Sequence, residues 1–75
     1  MSSKIPALRG RVLVRALQRA GFVIQRQSGS HVIMEHSDGR FASIPVHAKR
    51  DVPTGTLHGI LTTAGLTIDE LRRLL

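Results

Sequence analysis

Two glycine-ended polar triplets in the middle of the 75-residue chain limit its fold more than any other feature. Gln27-Ser28-Gly29 and Ser37-Asp38-Gly39 separate three runs of alternating apolar and polar residues, at 22–26, 30–36 and 40–47. A three-residue connection with glycine in the left-handed position is typical of a β-hairpin. The pattern therefore predicts three antiparallel strands joined by two hairpins, with the glycine of each triplet as a structural turn residue.

The loop lengths also predict which side chains share a face of the sheet. The predicted pairs are Ile24 with Val32, Phe22 with Met34, Val32 with Ile44, and Met34 with Ala42. One face then forms an apolar layer of Phe22, Ile24, Val32, Met34, Ala42, Ile44 and Val46. A two-residue second loop would mix His31 and Glu35 into this layer, which favours the three-residue register. The opposite, open face holds Val23, Gln25, His31, Ile33, Glu35, Phe41, Ser43, Pro45 and His47.

Helical patterns flank the predicted strands. Apolar residues recur at helix spacing from Gly10 to Gly21, and again from Pro53, which suits a first helical turn, to Gly65. Thr67-Ile68-Asp69-Glu70 has the pattern of a capping box that begins a last short helix. The order α-β-β-β-α-α predicts an α+β fold, a three-stranded antiparallel sheet with the helices on one face. The other face is left for function.

Length and composition predict one small domain over residues 1–75, with residues 1–8 as a short arm. The chain has no cysteine, which fits a reducing compartment. It has no apolar run long enough to span a bilayer and no apolar core of a secretory signal. We therefore expect a cytoplasmic protein without a membrane partner.

The charge is concentrated in the first two-thirds of the chain. The formal net charge is +6, and nine of the eleven basic residues lie within residues 1–50, together with only two acidic ones. Nine of the eleven are arginine, whose planar guanidinium suits phosphate better than the lysine ammonium does. A field of this kind favours nucleic acid, an anionic membrane or an acidic protein, although a merely solubilising surface has the same composition.

Histidine is the residue type that best fits catalysis in this chain. No phosphate-binding glycine loop, zinc-type spacing or nucleophile elbow is present, and the acidic residues are few and scattered, so no metal or cofactor is expected. Metal-free chemistry on a phosphodiester needs a base, an acid and positive charge near the phosphate, and histidine supplies acid or base near neutral pH. His31 and His47 fall on the open face as diagonal neighbours, whereas a structural or surface role is expected for His36 and His58.

An ordered set of motifs resembles one known family from about residue 8 to residue 75. The segments are Leu17-Gln18-Arg19-Ala20-Gly21-Phe22, Arg26-Gln27-Ser28-Gly29-Ser30-His31, His36-Ser37-Asp38-Gly39-Arg40, Ile44-Pro45-Val46-His47, Pro53-Thr54-Gly55-Thr56-Leu57, Ile60-Leu61 and Ala64-Gly65-Leu66. They are similar to the HicA toxins, mRNA interferases of type II toxin–antitoxin systems. The resemblance implies a fold like that of a double-stranded RNA-binding domain, in agreement with the predicted order of elements.

The resemblance also implies an activity and a partner. It implies a ribosome-independent endoribonuclease whose key histidine, in the Gly-Ser-His motif, is His31 here, and a HicB-type antitoxin that covers the active face. Many members carry a second histidine where this chain has Val32. The segment Thr54-Gly55-Thr56-Leu57-His58 lacks the lysine cluster of a true duplex-binding domain, so the expected substrate is single-stranded mRNA.

The leading hypothesis is metal-independent RNA cleavage with His31 as general acid or base and His47 in the second proton-transfer role. The predicted RNA-binding residues are Arg26, Ser30, Arg40, Lys49 and Arg50. Two other readings stay open: a non-catalytic, basic RNA-binding module, and an interaction protein whose basic face meets an acidic partner.

Overall fold

A computed structural model describes residues 6–75 and shows the predicted order of elements. The elements are α1 (Gly10–Arg19), β1 (Val23–Ser28), β2 (His31–Glu35), β3 (Phe41–Pro45), α2 (Thr54–Ala64) and α3 (Ile68–Leu74). The strands form one antiparallel sheet in the order β1-β2-β3, so the α+β fold with a three-stranded antiparallel sheet is confirmed. No helix within residues 6–75 has the length and apolar character needed to cross a membrane.

The buried core lies between the helices and one face of the sheet. Val32 and Met34 of β2 and Ala42 and Ile44 of β3 are buried, as predicted. The helices contribute Leu13, Ala16 and Leu17 from α1, Leu57, Ile60, Leu61 and Ala64 from α2, and Leu71 from α3. Val12 is one of the apolar residues that recur at helix spacing in the first helix, and residues 1–8 are predicted as an arm; both predictions need correction. Val12 is 38% exposed while Val14 is buried, and Leu8 of the predicted arm belongs to the core.

Local signals account for the helix ends. Gly65 follows α2 in the left-handed conformation with a φ of 67°, as expected of a glycine after a helix. The predicted capping box of α3 is confirmed, because the Glu70 N–H donates to Thr67 Oγ1 at 3.0 Å and the Thr67 N–H donates to Glu70 Oε1 at 2.8 Å. The α3 helix then closes on α1, where Arg19 Nη1 donates to the Leu74 carbonyl at 2.6 Å.

The register of the second hairpin is confirmed. Val32 pairs with Ile44 and Met34 with Ala42, and Gly39 lies in the turn with a φ of 98°. The first hairpin differs from the prediction. Ser28 pairs with His31, so the connection is the two-residue turn Gly29-Ser30, with a positive φ at Gly29 only. Glycine as the first residue of a two-residue turn matches the twist of the strands without strain.

A β-bulge at Gln25 compensates for the shorter turn. The pairs are Val23 with Glu35 and Ile24 with Met34 before the bulge, but Arg26 with Ile33 after it. Near the turn the register therefore differs from the predicted one by an odd number of residues, which transfers Arg26 and Ser28 to the open face. Ile24 keeps its predicted face but is 45% exposed, because all of β1 lies at the exposed edge of the sheet. Phe22 is buried as predicted but precedes β1 and does not pair with Met34.

The N-terminus of α1 packs directly on the end of β3. A side chain at Gly10 would overlap the Pro45 carbonyl oxygen, and its Cβ would lie 3.0 Å from Val46 Cα. Both of these atoms belong to the backbone, so the clash cannot be relieved by a change of side-chain rotamer. Gly10 therefore permits a close approach that no other residue allows, and this contact joins the first helix to the strand next to the catalytic candidate.

We expect Gly10→Ala to lower the free energy of unfolding by about 1–3 kcal/mol, the usual cost of forcing extra atoms into a packed site. Gly55→Ala in α2 is the matched control, because its Cβ would meet no atom within 4 Å. The control should be neutral or stabilising by up to about 1 kcal/mol, since alanine favours a helix over glycine. Urea unfolding followed by far-ultraviolet circular dichroism measures both. Equal stability of the two variants would contradict the close packing of α1 on β3.

Candidate active site

Nine side chains form the open face of the sheet in three rows across the strands. The rows are Ser28, His31 and Pro45; then Arg26, Ile33 and Ser43; then Val23, Glu35 and Phe41. All nine are exposed or only half-buried, and the buried core lies on the opposite side of the sheet. The open face is therefore a continuous surface, with polar and basic side chains near the first turn and two apolar side chains flanking Glu35 near the second.

His31 is the first residue of the central strand and lies in the middle of the first row. The alternation of β2 buries its neighbour Val32, so the imidazole of His31 is directed to the open side, as predicted. Ser28 lies opposite it on β1 and Pro45 opposite it on β3. The imidazole has no hydrogen bond or ion pair with any of residues 6–75. Both ring nitrogens are therefore available to a substrate.

Arg26 lies next to His31 on the open face. It pairs with Ile33, two residues along β2 from His31, so Arg26 and His31 are diagonal cross-strand neighbours about 7–8 Å apart at the backbone. Arg26 is exposed, and within the described part of the chain its guanidinium has no partner. An arginine at this distance can hold an anion that also contacts the imidazole. The arrangement exists because the two-residue turn pairs Ser28 with His31, which in turn pairs Arg26 with Ile33.

The predicted residues His47, Lys49 and Arg50 lie beyond the end of β3, which stops at Pro45 rather than at residue 47. All three are exposed. His47 lines a pocket with Arg9, Arg11, Val12, Val46 and Ala48 at the start of α1. The predicted placement of His47 on a strand, diagonal to His31, is therefore wrong. Its proton-transfer role stays a prediction.

Arg9 fixes the loop that contains these three residues. Its Nε lies 3.1 Å from Asp51 Oδ1, and its Nη1 donates to the Ala48 carbonyl at 2.9 Å. Next to this pair, the Val52 N–H donates to the Leu8 carbonyl at 2.7 Å. The loop leaves the sheet at the Pro45 end, which is also the His31 end, and Arg9 holds the loop on either side of Lys49 and Arg50. No residue pattern predicts this contact, because Arg9 and Asp51 are 42 residues apart.

Ser30 and Gly29 form the turn that precedes His31. The Val46 N–H donates to the Ser30 carbonyl at 2.6 Å, so the backbone of Ser30 holds the end of β3 against the turn. The Ser30 hydroxyl has no partner among residues 6–75, which leaves it available beside His31. Ser28 was not predicted as a site residue. It lies directly opposite His31 and is exposed, and only the two-residue turn reveals it.

Arg40, a predicted RNA-binding residue, is engaged within the protein. Its Nε lies 2.8 Å from Asp38 Oδ2, its Nη1 donates to the Ala64 carbonyl at 2.8 Å, and its guanidinium lies 5.3 Å from the centre of the Phe22 ring. The Arg40 backbone N–H and guanidinium beside Asp38 hold the pKa of that carboxyl below its ordinary value. These contacts join the second hairpin turn to the end of α2, which is a structural role.

The other two histidines have the structural and surface positions expected of them. His36 packs edge-on against Phe22, with ring centres 5.2 Å apart, and its Nδ1 lies 3.1 Å from Asp38 Oδ1. His58 is exposed on α2. No group of three or more histidine, cysteine, aspartate or glutamate side chains that could hold a metal ion occurs within residues 6–75.

Comparison with known proteins identifies the family. A family model described as "HicA toxin of bacterial toxin-antitoxin" matches residues 10–66, from the start of α1 through the sheet and α2. The chain belongs to the HicA toxin family. As a HicA toxin it is the toxin of a toxin–antitoxin system, and membership implies a cognate antitoxin as its partner. A search of curated proteins found no match to the chain.

For this HicA toxin we expect Arg40→Ala to act on stability. The free energy of unfolding should fall by about 1–2 kcal/mol, because a charged hydrogen bond and a partly exposed ion pair are both lost. Arg15→Ala, an exposed arginine of α1, is the control and should change stability by less than about 0.5 kcal/mol. Denaturant unfolding followed by circular dichroism measures both. An Arg40 variant as stable as the wild type would show that these contacts do not support the fold.

Proposed function

We propose that this HicA toxin is a metal-independent endoribonuclease that cuts single-stranded mRNA on the open face, with His31 as the proton-transfer group. The observation that supports this most is the pair formed by His31 and Arg26. Both are exposed, they are diagonal neighbours, and neither has a partner within residues 6–75. Neither side chain is used in a contact within residues 6–75, so both are available together to an anionic substrate.

The chemistry of phosphodiester cleavage fits this pair. The reaction needs a proton removed from the attacking oxygen, a proton given to the leaving oxygen, and positive charge beside the phosphate as its negative charge builds up. His31 supplies the first or second of these, and Arg26 the third. His47 is the candidate for the remaining proton transfer, and Lys49 and Arg50 add positive charge at the same end of the sheet. Ser28 at the end of β1 and Ser30 within the turn each offer a hydroxyl.

The partner proposed for this face is a HicB-type antitoxin. It would neutralise the toxin by covering His31 and the residues around it. The formal charge of +6 gives an acidic antitoxin a favourable electrostatic approach. RNA and antitoxin would therefore compete for one surface.

We expect His31→Ala to abolish RNA cleavage and growth arrest while leaving the fold intact. Loss of an acid–base group should lower the cleavage rate by at least about 100-fold. The assay incubates purified protein with end-labelled single-stranded RNA in EDTA, and growth is followed after induced expression. His58→Ala is the matched control, because His58 is an exposed histidine on α2, and it should cleave as the wild type does.

The same assay separates the competing functions. Cleavage by the wild type that persists in EDTA supports the proposal, and cleavage that stops in EDTA contradicts its metal independence. RNA binding without any product would indicate a non-catalytic RNA-binding module. Tight antitoxin binding with negligible RNA affinity would indicate an interaction protein. Undiminished cleavage by His31→Ala would remove His31 from the mechanism.

We expect Arg26→Ala to weaken RNA binding and to reduce its dependence on salt. Each cation that contacts a phosphate contributes about 0.7 to the slope of log affinity against log salt for a single strand, so the slope should become shallower by about that amount. Fluorescence anisotropy with labelled RNA in the His31→Ala background measures binding without cleavage. Arg15→Ala is the control, because Arg15 lies on α1, on the other side of the sheet. Identical slopes for the two variants would show that Arg26 contacts no phosphate.

A further inference from the structure

Phe41 is an exposed aromatic residue in a chain that has very few. The sequence contains two phenylalanines and no tryptophan or tyrosine. Phe22 is buried, whereas Phe41 is 53% exposed and lies in the third row of the open face. Its ring has no aromatic or cationic partner among residues 6–75. A phenylalanine has no polar atom that benefits from water, so its exposure on the face that contains His31 suggests contact with a ligand.

A shallow groove adjoins the Phe41 ring between β3 and α2. It is lined by Phe41, Ser43, Thr56, Gly59, Ile60 and Thr63. Thr56, Gly59 and Thr63 recur at helical spacing and form the wall opposite the strand. A Cβ at Gly59 would meet no atom within 4 Å, so the missing side chain leaves open space facing the groove. The groove thus has one aromatic wall, one wall of small residues and no ionisable group.

The charges around the groove favour one kind of occupant. On the open face Phe41 pairs directly with Glu35, and the row of Ser43, Ile33 and Arg26 comes next, followed by the row with His31. The Glu35 carboxylate disfavours an anionic group at Phe41 itself, so an uncharged group fits beside the ring. An anionic backbone held by Arg26 and His31 would continue toward the groove, where a flat, uncharged ring can stack on Phe41. An acidic peptide offers negative side chains instead, and the groove has no cation to receive them. The hydroxyls of Ser43 and Thr56 have no partners within residues 6–75 and can bond to the edge of a base.

The register fixes how far this groove lies from the site of cleavage. Phe41 precedes Pro45, the strand partner of His31, by four residues, which is about 14 Å along an antiparallel strand. We infer that the groove beside Phe41 binds one unpaired nucleobase of the RNA, in a nucleotide that flanks the one cut at His31. This inference rests on the proposed function and adds a subsite to it. Stacking tolerates every base, so the groove would select unpaired RNA more than a particular sequence.

The first test removes the ring. Phe41→Ala in the His31→Ala background should weaken binding of a labelled single-stranded RNA by about 5- to 150-fold, the range for loss of one stacked base. Phe41→Tyr should restore most of the affinity, whereas Phe41→Leu, which keeps apolar surface but no ring, should not. In the chain with His31 intact, Phe41→Ala should raise KM and leave kcat nearly unchanged. Full affinity in Phe41→Leu would show that no stacking occurs.

A second test identifies the base. Single abasic sites are placed in turn at each position of the RNA. In the Phe41-intact chain, one position away from the cut should be sensitive to base removal. In Phe41→Ala the same position should lose its sensitivity, because the stacking partner is already gone. Equal sensitivity in both proteins would overturn the inference.

A third test fills the groove without touching Phe41. Gly59→Leu should stabilise α2, because leucine favours a helix over glycine, and yet weaken RNA binding. A stabilised variant with weaker binding cannot be explained by unfolding. Thr62→Leu, at an exposed position of α2 outside the groove, is the control and should bind as the parent does. Unchanged binding by Gly59→Leu would show that the groove stays empty.

The outcomes separate this inference from the proposed function. If the wild type neither binds nor cuts RNA, the proposed function fails. If the wild type cuts RNA in EDTA and Phe41→Ala cuts it with an unchanged KM, only the inference fails. If Phe41→Ala loses affinity for the antitoxin but not for RNA, the groove is a protein-docking surface and the inference is wrong.

Discussion

The two buried side chains of the central strand, Val32 and Met34, determine which face of the sheet every other side chain of that strand occupies. Each is surrounded by core residues, and exposing either would cost about 1.5–3 kcal/mol. A domain of this size has a total stability of about 5–15 kcal/mol, so a slip of β2 by one residue is not tolerated. The alternation of the strand then requires His31, Ile33 and Glu35 to face the other way. The position of the catalytic candidate follows from core packing.

The helices cover only one face of the sheet, so the side chains of the other face remain free to contact a ligand. The half-buried imidazole of His36 is engaged within the protein, because it packs against Phe22 and lies beside Asp38. His31 has no such contacts and lies on a rigid central strand. The cationic side chains at this end of the protein lie outside the central strand. Arg26 is on the edge strand, and Lys49 and Arg50 are in the loop that Arg9 holds. His31 is therefore positioned by the fold, and the charge around it by local features.

The sequence predicted the parts of the structure in which the burial of apolar side chains allows only one register. The pairing of β2 with β3, the turn at Gly39 and the outward direction of His31 all follow from the apolar alternation of two half-buried strands. The register of β1 did not follow, because every residue of this edge strand is exposed and no burial penalty selects one pairing over another. The choice was made by the two-residue turn Gly29-Ser30 and by a bulge. The turn sequence suits a two-residue connection, but the same glycine also fits the end of a three-residue one, and no residue pattern here indicates the bulge. As a result, the predicted open face did not include Arg26, and Ser28 was not predicted as a site residue.

Charge was the least specific of the sequence signals, because a guanidinium serves equally well inside the protein and on a substrate. Arg9, Arg26 and Arg40 look alike in the sequence, yet Arg9 holds a loop, Arg40 holds a turn against the end of α2, and only Arg26 has no partner among the described residues. The tertiary contacts decide which of the three is available. The basic composition thus overstates the number of residues that can bind RNA, and the structure concentrates the proposed binding on one sheet face. On that face the guanidinium of Arg26 belongs to a residue beside His31, and the exposed ring of Phe41 lies about 14 Å along the strand from the His31 row. A partner that uses both needs an anionic backbone and an apolar ring a short distance apart, which is the chemical description of a single nucleic acid strand.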